Sequence, residues 1–244
     1  MALLELASVT KTYGGIVAVD GASFQVEQGK ITALIGPNGA GKTTAFDTVC
    51  GVVRVDSGTI TLDGKDITNQ RSHKITKQGI GRTFQITREL GEMTVLENMA
   101  VTEVPNGIGS LGGRRITSAE QERAMDLLSF VGIGKLADEP AKRLSYGQRK
   151  LLEFASVLMA DPKLVLLDEP AGGVNPALLD RLIDRIREVN ARGTTFLIVE
   201  HNMDVVMTLS DSVVVMAHGQ VLIQDSPETI REDKRVLDAY LGEA

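Results

Sequence analysis

The rhythm of apolar and polar positions changes along the chain, and each change marks a different kind of element. Short β-type runs come first, ALLELAS, ASFQVE and ITALIG, with TITLDG following VRVDSG, and they predict a strand-rich N-terminal part. ITALIG runs straight into a glycine loop, and TTAFDTVCGV after it reads as a helix packed on a sheet. Further on, KLVLLDEP, TTFLIVEH and SVVVMAHG are continuous apolar runs separated by helical patterns such as PALLDRLIDRIREVNARG. Strands apolar on both faces that alternate with helices predict a mainly parallel α/β sheet.

From about Ile86 to Ala160 the texture differs. The amphipathic SAEQERAMDLLSFVGI, and the run LLEFASVLMA after LSYGQ, predict an inserted helical lobe. Within it NGIGSLGGRR carries four glycines and no hydrophobic periodicity, and reads as a surface loop. The tail SPETIREDKRVLDAYLGEA predicts one or two short helices. The expected organisation is therefore a core from residues 1–85 and 161–224, a lobe from 86–160 and a C-terminal helical tail from 225–244.

Composition narrows the class. With 244 residues and 43% hydrophobic positions the chain can bury a substantial core, as one large α/β domain or as two lobes. A formal charge of −6 argues against a generally basic surface, so nucleic acid is not an expected partner. No apolar run approaches the roughly 18 residues of a membrane helix, and the opening MALLELAS lacks a basic flank and a long apolar core. A cytoplasmic chain is expected, with any membrane attachment made through a protein partner. The one cysteine, Cys50, lies in FDTVCGVV, cannot form an internal disulfide, and is expected to pack in the core.

Candidate chemistry begins at GPNGAGKTT, which comprises Gly36, Pro37, Asn38, Gly39, Ala40, Gly41, Lys42, Thr43 and Thr44. The order GxxxxGKT between a predicted strand and helix is that of a phosphate-binding loop. Its glycines let backbone N–H groups curl around phosphate oxygens, Lys42 supplies a cation, and Thr43 supplies a hydroxyl for Mg²⁺ at a helix N-terminus. In KLVLLDEP an apolar strand delivers Asp168 and Glu169 to its carboxyl end, the edge at which open α/β sheets bind ligands. Two adjacent carboxylates can divide the work: Asp168 would hold Mg²⁺, and Glu169 would orient or deprotonate the water that attacks a γ-phosphate. A third stretch, LSYGQ, has two readings. Ser145 followed by Gln148 ahead of an apolar run fits a capping box, and a second Ser and Gly helix start also fits half of another phosphate site.

This order of motifs resembles the ATP-binding subunit of ABC transporters over essentially the whole chain. The resemblance implies an α/β P-loop NTPase of the ABC type, an ATPase using ATP and Mg²⁺, whose catalysis rests on Lys42, Glu169 and His201. Tyr13 in KTYGG matches the aromatic that stacks on adenine, Gln85 in RTFQ the glutamine that contacts Mg²⁺ and leads to the helical lobe, and His201 in VEHNMD the switch histidine near the γ-phosphate. The family's LSGGQ segment faces the γ-phosphate of the partner subunit in a head-to-tail dimer, which assigns Ser145, Gly147 and Gln148 to the second phosphate site. Tyr146 replaces the first glycine of that segment, and GGVN, Gly172 to Asn175, replaces the common SALD.

Taken together, LSYGQ, EPAGGVNP, VEHNMDVVM and DAYLG look most like the ATPases of branched-chain amino acid importers. That likeness implies transmembrane permease subunits as partners, a homodimer or a heterodimer with a second such ATPase, and indirectly a substrate-binding protein. It also implies a peripheral place on the cytoplasmic face of the inner membrane. The alternatives are the ATPase of a lipid or lipopolysaccharide exporter, and a soluble ABC-type ATPase that remodels nucleic acid or ribosomes. Against the latter, the chain has one P-loop, no long coiled coil and no basic extension.

Overall fold

The computed structural model describes residues 1–83, 90–101 and 117–241. Two sheets carry the described strands. One is antiparallel, in the order β2-β1-β4-β5, from β1 (Ala2–Tyr13), β2 (Ile16–Glu27), β4 (Ser57–Leu62) and β5 (Lys65–Asp66). The other has the order β10-β9-β3-β8-β7-β6, from β3 (Ile31–Ile35), β6 (Ile80–Arg82), β7 (Leu164–Asp168), β8 (Thr195–Val199), β9 (Ser212–Ala217) and β10 (Gln220–Asp225). All its pairings are parallel except β9 with β10.

The continuous apolar runs are explained by burial on both faces. In β9, Val214 and Met216 join the cluster shared with the antiparallel sheet and α1 (Lys42–Val49), whereas Val213 and Val215 join the opposite cluster with Val206, Ile230 and Val236. Those last three residues come from α7 (Met203–Leu209), α8 (Pro227–Glu232) and α9 (Lys234–Leu241), so the tail covers the sheet's second face. The first two strands run further than their patterns predict. Bulges interrupt the pairing of β1 with β2, and Ser8 has φ +50°, so period-2 alternation fails midway although the ladder continues to the Gly14–Gly15 turn. That turn has positive φ at both residues, 52° and 92°, as a two-residue hairpin with the right twist requires.

Contacts divide the chain into two compact units. The first comprises Met1–Arg82, Lys163–Glu169 and Val189–Ala244 and holds both sheets; α2 (Ser72–Thr76) belongs to it. The second comprises Thr83–Pro162 and Pro170–Glu188. It is built from α3 (Val95–Val101), α4 (Ser118–Phe130), α5 (Tyr146–Leu158) and most of α6 (Pro176–Ala191). Inclusion of Pro170–Glu188 has a packing reason: the Arg185 guanidinium lies 4.9 Å from the Phe130 ring centre, and Leu178 sits against Gly147. The glycine-rich stretch NGIGSLGGRR lies outside the described residues.

Candidate functional site

The phosphate loop leaves the buried strand β3 at Gly36 and closes on the helix α1, whose N-cap is Gly41 at φ +96°. Two of its glycines are dictated by proximity. A Cβ on Gly36 would lie 2.0 Å from the Met216 carbonyl oxygen, and one on Gly41 would lie 2.2 Å from that of Ala18. On this side the loop is pressed against β9 and β2. A Cβ on Gly39, at φ +76°, would meet no atom of the described residues within 4 Å, so among these the loop is open there. Asn38 is exposed beside it, whereas Pro37 and Ala40 are buried. The Lys42 ammonium donates to the carbonyls of Gly36 and Pro37, both at 2.7 Å, which holds its charge over the loop it follows. Thr43 is exposed and Thr44 half-buried in the first turn of α1.

In the sheet, β3, β8 and β7 are parallel neighbours, so their carboxyl ends bring the loop, His201 and the Asp168–Glu169 pair to one edge. Asp168 ends β7 and is 2% exposed. Glu169 turns away from the strand with φ +48°, a left-handed conformation that costs an ordinary residue about 1–2 kcal/mol. Its backbone N–H donates to Val199 O at 2.9 Å, which anchors the turn, and its Oε1 lies 3.8 Å from His201 Nδ1. A strained backbone at a carboxylate on a ligand-binding edge is the kind of outlier that clusters at working sites.

His201 itself is well exposed, but its backbone is fixed. The carboxylate of Glu200, 1% exposed, accepts from the N–H groups of His201 at 2.9 Å and Asn202 at 3.0 Å. Asn202 in turn caps α7 by accepting from Asp204 and Val205. Sequence reading passed over Glu200, although a glutamate directly after TTFLIV, with no turn residue between, was the available signal. It also passed over Arg82, which lies beside Asp168. Tyr13 stands 46% exposed at the end of β1, with Lys11 Nζ 5.2 Å from its ring centre. Gln85, expected to contact Mg²⁺, lies outside the described residues.

Ser145, Gly147 and Gln148 belong to the second unit. Ser145 is the N-cap of α5; its hydroxyl accepts from Gln148 N at 3.3 Å, and Gln148 Oε1 accepts from Ser145 N at 2.8 Å, a reciprocal capping box. Gly147 is buried, and a Cβ there would meet Leu178 Cδ2 at 2.4 Å. The tyrosine and the GGVN stretch, two separate departures in the sequence, meet in space. A Cβ on Gly173, which has φ +68°, would come within 3.0 Å of the Tyr146 ring. Asn175 accepts from Leu178 N at 3.0 Å and so starts α6. Gly173→Ala is expected to cost about 1–2 kcal/mol through its backbone alone, with a further few tenths from the ring. In a Tyr146→Ala background the second part should vanish, which a double-mutant cycle by chemical denaturation reads directly.

The arrangement fits a magnesium nucleotide. An inward-curling glycine loop, an ammonium and helix N–H groups suit phosphates, and the oxygens of Thr43 and Asp168 are hard donors of the type Mg²⁺ takes. Among the described residues no group of three or more His, Cys, Asp or Glu could hold a metal by itself, so the protein would supply one or two ligands and phosphate oxygens others. Cys50 has no part in this chemistry: burial pushes its thiol up to about 12, so it stays protonated at neutral pH.

Fold and site together define a P-loop nucleotide-binding protein. The sequence profile of the family described as "ABC transporter" matches residues 19–172. The chain is 42% identical to the "Probable branched-chain amino acid transport ATP-binding protein LivG" of Archaeoglobus fulgidus, over 99% of this chain and 96% of that one. It is 39% identical to the "High-affinity branched-chain amino acid transport ATP-binding protein BraF" of Pseudomonas aeruginosa, over 99% and 98% of the two chains. Among solved structures it is similar to an ATP-binding cassette of an ABC transporter in the ADP conformation, with TM-score 0.92, 35% identity and 99% of each chain covered. The chain belongs to the ABC transporter family, as one of its ATP-binding cassettes. It is a nucleotide-binding ATPase, the energising component of a transport system.

Proposed function

We propose that this cassette binds ATP with Mg²⁺ and hydrolyses it to drive uptake of branched-chain or other hydrophobic amino acids through membrane permease subunits. The observation that carries the enzymatic part is the meeting of the phosphate loop, Asp168–Glu169 and His201 at adjacent strand ends. The names of the relatives support the substrate, because identity to them extends over nearly the full chain. Residues from Gly36 to Thr44 would wrap the phosphates, with Lys42 as countercharge, and Tyr13 would stack on the base. Thr43, Asp168 and Gln85 would hold Mg²⁺, which when bound neutralises charge on the phosphates. Glu169 would orient the attacking water and accept its proton, and His201 would read the γ-phosphate.

The working form in this reading is a head-to-tail dimer, homomeric or with a second ATPase of the same type, in which Ser145, Gly147 and Gln148 complete the partner's site. The capping box is compatible with that role, because the helix N-terminus keeps its partial positive charge whichever side chain caps it. No helix among the described residues is long and apolar enough to cross a membrane, so contact with the bilayer would come through the permease, on its cytoplasmic face. A substrate-binding protein would deliver the amino acid from the other side. The test is reconstitution with the permease and binding protein in proteoliposomes. ATP-dependent accumulation of leucine, isoleucine or valine is expected; a complex that hydrolyses ATP but moves no apolar amino acid would overturn the substrate assignment.

A further inference from the structure

Beyond the motif residues, one half-buried side chain joins the supports of two proposed cation ligands. Arg82 is the last residue of β6, paired in parallel register with Leu166 of β7, and its side chain is 13% exposed. One arm, Nη1, lies 2.6 Å from Asp47 Oδ1 on α1; the other, Nη2, lies 3.6 Å from Asp168 Oδ2 at the end of β7. The guanidinium carbon stands 4.9 Å from the centre of the Phe46 ring, a cation–π contact that adds a third hold on the side chain. Asp168 is only 3% exposed at its side chain, and a carboxylate that deep is costly without countercharge.

The two arms are unequal, and the inequality matters. The short contact goes to Asp47, on the same helix that presents Thr43; the longer one reaches Asp168 at an ion-pair distance beyond that of a good hydrogen bond. Asp47 thus anchors the fork, while Asp168 receives charge compensation at the longer distance. We propose that Arg82 is a positioning residue for the metal site: through Asp47 and Asp168 it fixes the helix that carries Thr43 against the strand that carries Asp168, and so sets the separation of the two protein oxygens offered to Mg²⁺. The inference rests on the reading of Asp168 and Thr43 as Mg²⁺ ligands. Side chains that orient metal ligands without touching the metal commonly change metal affinity by about 10–100-fold when removed.

The experiment measures affinity for a fluorescent ADP analogue across a Mg²⁺ titration and in EDTA, so it needs no turnover. Arg82→Met is expected to raise the Mg²⁺ concentration for half-saturation by roughly tenfold or more, with affinity in EDTA changed by no more than about twofold. Arg82→Lys, which keeps the charge but loses the fork, should recover part of the shift. Asp47→Asn should shift it in the same direction by less, and should add nothing in the Arg82→Met background, because Asp47 acts only through Arg82. An unchanged or lowered Mg²⁺ requirement in Arg82→Met, or equal losses of affinity with and without Mg²⁺, would overturn the proposal. If Arg82→Met does not fold, Asp47→Asn decides by the same two readings. Asp168→Asn separates the inference from its basis: if that variant leaves the Mg²⁺ dependence unchanged, the ligand assignment fails and the inference with it; if it shifts the dependence while Arg82→Met and Asp47→Asn do not, only the inference fails.

Discussion

Replacing Glu169 by glutamine is expected to leave nucleotide bound and to slow hydrolysis by about two to four orders of magnitude, the scale of a positioned general base. The substitution keeps shape and removes charge. Glu169 N–H would still donate to Val199 O, and the turn at φ +48° would still aim the side chain past the end of β7. What disappears is an anion able to take a proton from water. Phosphate release at saturating ATP, set against nucleotide affinity under the same conditions, checks the split. Turnover close to that of the unmodified protein would remove Glu169 from the chemistry and leave its strained backbone without a catalytic account.

The second large effect concerns the loop itself. Gly36→Ala is expected to abolish nucleotide binding and to destabilise the fold by on the order of 3 kcal/mol, from a forbidden φ combined with overpacking. Its new methyl would lie 2.0 Å from the Met216 carbonyl oxygen at φ +146°, and backbone on both sides would have to separate. Gly39→Ala is the matched control: at φ +76° it carries backbone strain of about 1–2 kcal/mol but meets no atom of the described residues within 4 Å. Thermal denaturation and nucleotide affinity of the pair should therefore diverge. Equal, mild effects at both positions would mean that the loop is not held against β9.

Much of this was legible before any coordinates, and the reason is local. KLVLL, TTFLIV and SVVVMA are apolar on both faces and stop at charged or small residues, so each reads as a buried strand, and they became β7, β8 and β9. GPNGAGKTT carries its own geometry in its glycines. Other parts depended on partners far along the chain. The three-residue strand β6 contains a glycine and is too short to show a period, and only its pairing with β7 makes it a strand. Arg82 meets its carboxylate partners, Asp47 and Asp168, only through folding, so they were invisible in the sequence, whereas Glu200 accepts from the next two backbone N–H groups and its place directly after TTFLIV was a local signal. Pro170–Glu188 groups with the helical unit through Leu178 and Arg185, contacts that no spacing along α6 announces.

Strand β2 touches the phosphate loop at Ala18 and begins, two residues earlier, at the hairpin that displays Tyr13. Ala18 lends its carbonyl oxygen as the wall against Gly41, and Ile16 is the cross-strand partner of Tyr13. With Tyr13 taken as the base-facing ring, both jaws of a caliper are cut from one ribbon, about 7 Å apart along it at the usual strand rise. Such jaws cannot be adjusted independently. Inserting or deleting one residue between Ile16 and Ala18 would turn the intervening side chains to the opposite face and shift the gauge in the same stroke. With Tyr13 in that role, the span of ligand accepted would be written into the length of a hairpin, and a change in that length would be expected to alter it.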